Sequence, residues 1–72
     1  MLIDVTERTL RTDLREYLVG EGFSCVPARP GLAVRSPRAR TAREDRLEVT
    51  AALSAWHRRA PAAELLVLDP AA

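Results

Sequence analysis

Arg8, Arg11 and Arg15 recur at spacings of three and four residues. On a helix advancing about 100° per residue they fall within a sector of about 60°. Leu10, Leu14 and Tyr17 take the adjoining sector, and Asp13 and Glu16 the far side. Guanidinium groups beside a docked apolar edge suit binding to phosphate oxygens, because the helix is held while its charges face outward. A second arginine group follows at Arg35, Arg38, Arg40 and Arg43. Within it, Pro37-Arg38-Ala39-Arg40 is a short basic run of the kind that enters narrow minor grooves. These seven arginines are the candidate nucleic-acid contacts. The plainer reading is a solvated face, supported by pairs such as Glu7–Arg11 at i,i+4.

Other chemistry finds less support. Cys25 and His57, with Asp69 as orienter, would make a nucleophile and base, but nothing in their spacing favours it. A free cysteine in a strand usually behaves as a small buried hydrophobe. The glycines at 20, 22 and 31 suit a helix end and a turn rather than a phosphate-binding loop, and Gly20-Glu21-Gly22 follows a helix where a dinucleotide fingerprint follows a strand. One Cys and one His leave too few ligands for a structural zinc site. The sequence therefore points to a non-enzyme with no catalytic residue, no cofactor and no metal.

The charge is uneven. The 72 residues carry 11 Arg and 10 Asp+Glu for a net +1, yet residues 29–46 hold six Arg against two acids. A polyanion meets that local excess, not the net charge. Twelve alanines dilute the 47% hydrophobic content, and a chain this short buries only about 60% of its unfolded surface, so self-association would help it. No apolar run approaches the roughly 18 residues of a membrane span, and acids in Met1–Glu7 do not suit a signal peptide. A lone cysteine makes no internal disulfide, so the expected setting is cytoplasmic. We expect a single small domain over residues 1–70, with 71–72 a disordered tail.

The elements that must position these arginines follow from periodicity. A first helix is expected over about 5–20, opened by an Asp4/Glu7 capping box and ended by Gly20 and Gly22. Residues 23–27 and Leu32–Arg35 read as strands joined by a type II turn at Arg29-Pro30-Gly31-Leu32. Residues 36–40 read as a loop. A second helix starts near Thr41, whose Thr-Ala-Arg-Glu run is another capping box, and buries Val49, Ala52, Leu53 and Trp56. Arg58 and Arg59 suit its last turn, and Pro61 stops it. Leu65-Leu66-Val67-Leu68 reads as a strand buried on both sides. Met1–Asp4 adds a short leading strand. The expected class is α+β, two amphipathic helices on a small three- or four-stranded sheet in the order (β)αββαβ, ferredoxin-like. The alternative is a winged-helix fragment.

Val5, Thr6, Arg8, Thr9, Leu10, Asp13 and Leu14 resemble the recognition helix of DeoR-kind winged helix-turn-helix regulators. Gly22-Phe23 and a hairpin tipped by Pro30-Gly31 are similar to the wing that follows it. The likeness covers about residues 5–35. Thr12 stands where that pattern has Arg, Tyr17 where it has Leu, the helix runs one residue longer, and the two helices that precede the recognition helix have no counterpart before Val5. The resemblance implies a DNA-binding transcription regulator. Together with the arginines it sets the expected function: a small non-enzymatic nucleic-acid-binding regulator or accessory protein acting as a homodimer. The competing expectation is a protein–protein module that docks a partner or a second copy through its helices or a sheet edge, with Trp56 either in the core or anchoring self-association.

Overall fold

The computed structural model describes residues 1–68. Its elements run β1 (Leu2–Val5), α1 (Arg8–Gly20), β2 (Ser24–Pro27), β3 (Leu32–Arg35), α2 (Ala42–Arg59) and β4 (Leu65–Val67). The strands form one antiparallel sheet in the order β2-β3-β1-β4. α1 packs on β1 and β2, and α2 packs on β3 and on α1. The protein is thus α+β, two helices on a four-stranded antiparallel sheet. The expected tail at 71–72 and the last residues of the expected domain lie outside the described residues.

The leading segment is a strand, and the first helix starts later than its sequence suggests. Ile3 and Val5 alternate inward and are fully buried because β1 has a neighbour on each side. Asp4 therefore sits in β1, where its Oδ1 accepts the Val5 N–H at 2.8 Å, and is not a helix cap. Glu7 takes the N-cap position without a side-chain hydrogen bond. The Asp4/Glu7 capping box does not form, because pairing of Leu2–Val5 on both edges outweighs one extra turn of helix.

The end of α1 is a Schellman motif. The Phe23 N–H reaches the Leu18 carbonyl at 2.9 Å and the Gly22 N–H reaches Val19 at 3.1 Å, with Gly22 at φ +91°. Leu18 and Phe23 both lie in the core, which turns the chain directly into β2.

The β2–β3 turn differs from the expected type II. The Arg29–Pro30 bond is cis, and the Ala28 N–H donates to the Gly31 carbonyl at 2.9 Å. The Pro-Gly pair marks the tip but does not set the proline isomer. Gly31, at φ +81°, has a further reason to lack a side chain: a Cβ there would run into the Ile3 carbonyl.

α2 begins as expected. The Thr41 Oγ1 accepts the Glu44 N–H at 3.1 Å, and Glu44 reaches back one residue beyond the cap to the Arg40 N–H at 2.9 Å. Val49, Leu53 and Trp56 are buried and Ala52 is half-buried against them. Trp56 is 1% exposed, so it serves the core and cannot anchor self-association. Its indole N–H donates to Asp13 Oδ2 at 2.8 Å, tying α2 to α1. Asp13 therefore faces α2, flanking the Tyr17 side of the buried stripe, and is not on the acidic back of α1.

β4 is not buried on both sides. Leu66, Val67 and Leu68 are 46%, 51% and 37% exposed. β4 is an edge strand, and α2 packs on β3 while leaving an open groove between itself and β4. An unbroken apolar run fits a buried central strand or an unprotected edge equally well, and here it is the edge.

Candidate nucleic-acid interface

The segment 36–41 is pinned to α2 from its first residue. Ser36 is buried; its N–H donates to Asp45 Oδ1 at 2.6 Å and its hydroxyl to Glu48 Oε1 at 3.1 Å. The Ala39 N–H closes a turn on the Ser36 carbonyl at 3.2 Å. With the Thr41–Glu44 cap at the other end, the loop is held at both ends. Arg38 and Arg40 project from it, with Arg35 and Arg43 just outside. An open groove of about 380 Å³ runs along this loop, between Arg35 and Arg40.

The start of β2 gathers more charge. The Arg38 guanidinium lies 6.0 Å from the centre of the Phe23 ring, a cation–π distance. Arg35 stands opposite Ser24 in the β2–β3 register. Arg15 of α1 is close enough to act on Cys25. Burial pushes the Cys25 thiol above its ordinary value, and the lesser effect of Arg15 pulls the other way. Arg15, Arg35 and Arg38 thus surround residues 23–25 and Arg40 continues along the loop, while Arg43 stands on the first turn of α2, on the face that Leu47 and Thr50 continue.

The other two candidate arginines are not in this patch. Arg8 opens α1 at the end of the sheet where β1 finishes, whereas β3 delivers Arg35 to the end where β1 begins. Arg11 is turned inward. Its Nε lies 2.9 Å from Asp4 Oδ1 as an ion pair without an aligned N–H, and an Nη donates to the Val5 carbonyl at 3.0 Å. Arg11 fastens α1 to β1. The seven arginines read from sequence therefore separate into a cluster of four, Arg43 beside it on the first turn of α2, Arg8 at the opposite end and Arg11 as a structural fastener.

The acids explain why the cluster stays free. Asp13 accepts from Trp56, Asp45 and Glu48 from Ser36, and Glu44 from a backbone N–H. The carboxylates nearest the loop are thus taken up by neutral donors and do not pair with its arginines. Among the described residues, the guanidinium groups of Arg8, Arg15, Arg35, Arg40 and Arg43 make neither an ion pair nor a hydrogen bond. Sequence reasoning missed Phe23 as a rest for Arg38, and Ser36, Asp45 and Glu48 as the clamp. Asp45 and Glu48 lie at i,i+3 on a predicted helix, which marks a shared face, but their partner nine to twelve residues away left no local signal.

The nucleophile–base pair is not assembled. Cys25 lies on β2, while His57 lines a groove over β4 and bonds through Nε2 to the Ala63 carbonyl at 3.0 Å. The two edge strands are three spacings apart, about 14 Å. Among the described residues no group of three or more His, Cys, Asp or Glu is placed to hold a metal ion. No helix among them is long and apolar enough to cross a membrane. No family model matches the sequence, and neither a curated protein nor a solved structure matches it at a significant level.

Proposed function

We propose that the protein is a small non-enzymatic, cytoplasmic nucleic-acid-binding regulator or accessory factor that grips phosphates with Arg15, Arg35, Arg38, Arg40 and Arg43. The observation that carries this reading is the cluster of guanidinium groups around residues 23–25 and the 36–41 loop, most of them without an intramolecular partner. The clamp on Ser36 supports it by fixing the loop before any ligand arrives, so less ordering entropy is lost on binding. The βαββαβ order and the strand order β2-β3-β1-β4 support a ferredoxin-like assignment. The regulatory role leans on the likeness of residues 5–35 to DeoR-kind winged-helix regulators.

The aromatic residues narrow the ligand. The chain has one Phe, one Tyr and one Trp, and all three pack on the helix side of the sheet with the core. Alternation puts Leu2, Val26, Ala33, Arg35 and Leu66 on the open face. That face carries no ring, and at the cluster itself Phe23 is buried beneath Arg38, so bases of a single strand find no exposed ring on which to stack. Duplex carries one phosphate charge per roughly 1.7 Å, twice the density of a single strand, so a stack-free arginine surface favours duplex. The test is anisotropy with matched duplex and single-stranded DNA and the Arg38→Glu/Arg40→Glu variant. Wild type should prefer duplex, and the variant should bind neither. Equal binding by the variant would remove the loop from the interface.

A further inference from the structure

We propose that the open edge of β4 pairs with the β4 of a second copy, joining two four-stranded sheets into one. The Leu68 N–H donates to the Leu2 carbonyl at 2.8 Å, which fixes the phase of the β1–β4 ladder. With Leu66 opposite Asp4, the backbone groups of Leu66 and Leu68 point toward β1 and those of Leu65 and Val67 point outward. Among the described residues nothing pairs with that outward edge.

A two-fold axis beside Leu66 satisfies it completely. Leu65 then faces Val67 of the second copy, and each such pair exchanges both of its N–H···O bonds. The Leu66 side chains meet across the axis on the open face, where Leu66 is 46% exposed. On the helix side, Leu65 and Val67 of both copies come together over the groove that Thr50, Leu53, Ser54 and His57 also line. The strand itself is uncharged, so superposing it on a copy brings no like charges face to face.

The area decides the strength. α2 is 18 residues long, about 27 Å, and a helix layered on a sheet is about 15–18 Å deep. Fully covering that flank on both copies would bury about 800–1,000 Å², at or just under the lower bound for a specific interface. Leu47, 62% exposed, is three residues from Thr50 and continues that face of α2, which Arg43 and Arg46 border at its N-terminal end and Arg58 at its C-terminal end. The dimer should be weak, reversible and set by concentration.

Sedimentation velocity from about 5 µM to 1 mM tests this, with circular dichroism confirming the fold of each variant. Wild type should shift from monomer to dimer across that range. Leu66→Arg puts two guanidinium groups on the axis and should stay monomeric. Val67→Pro removes only an outward N–H, so it should fold and stay monomeric too. Mixing Leu66→Arg with Leu66→Asp chains should restore a dimer that neither forms alone. A wild type that is monomeric at 1 mM overturns the proposal, and so does a Leu66→Arg variant that dimerises as well as wild type.

Discussion

The two edges of the sheet are built in opposite ways. β2 pairs so that the groups of Cys25 and Pro27 face outward, and Pro27 has no N–H to offer. Arg15 and Arg38 flank that edge. β4 turns two full residues outward, Leu65 and Val67, and its strand carries no charge and no proline. Charge and proline are the usual means of keeping an edge from pairing. The β2 edge has both and the β4 edge has neither. The same small sheet thus separates a polar, cationic flank suited to polyanions from an apolar flank suited to backbone pairing.

The largest expected effect falls on the cationic edge alone. Reversing Arg35, Arg38 and Arg40 to Glu should abolish duplex binding, a loss of at least several hundredfold at low salt, while sedimentation still shows the β4 dimer. Single changes to Ala should each lower the salt slope by about one. If the triple variant also loses dimerisation, the edges are not independent.

Next come changes to what joins the edges. Trp56→Ala empties a fully enclosed site and should cost about 3–5 kcal/mol in denaturant unfolding. Asp13→Ala leaves the Trp56 N–H unpaired and should cost about 1–3 kcal/mol while both edges keep their activities in the folded fraction.

Asp45→Ala separates position from charge on the cationic edge. It strips the acceptor from the Ser36 N–H, so stability should fall by about 1–3 kcal/mol. It also adds one net positive charge, so an affinity governed by charge alone should rise. Reduced duplex affinity in the folded variant would show that the fixed loop geometry matters more.

The smallest effect concerns Cys25. Its thiol value is raised in the folded state, so the folded chain holds that proton more tightly than the unfolded chain. The associated stability is fully present below the ordinary value of 9.0 and is lost as pH rises past it. Thiol labelling at neutral pH should be slow in native protein and fast in denaturant, and a Cys25→Ala variant should lose the part of the alkaline destabilisation that this thiol causes.

Much of the fold is written locally. The Thr41–Glu44 cap, the Gly20–Gly22 stop and the Leu10/Leu14/Leu18 and Val49/Leu53/Trp56 stripes each sit within a turn or two of chain. The β4 exposure was not legible, because Leu-Leu-Val-Leu reads the same at the centre of a sheet as at its edge, and strand order is a long-range property. Arg11 is hidden for a similar reason: its i,i+4 neighbour Glu7 is visible in sequence, while Asp4 becomes its partner only when β1 forms. The arginine cluster was half legible. Arg35 to Arg43 are contiguous, but Arg15 joins them only through the packing of α1 on β2, and Arg8 departs because α1 runs the length of the sheet.

The most direct test of the arginine surface is binding to labelled mixed-sequence duplex DNA at about 50 and 200 mM salt. About five phosphate contacts predict a log–log slope of about −4 to −5, so affinity should fall several hundredfold across that range. No binding at 50 mM, or binding that salt does not weaken, would contradict the assignment of these arginines to phosphates.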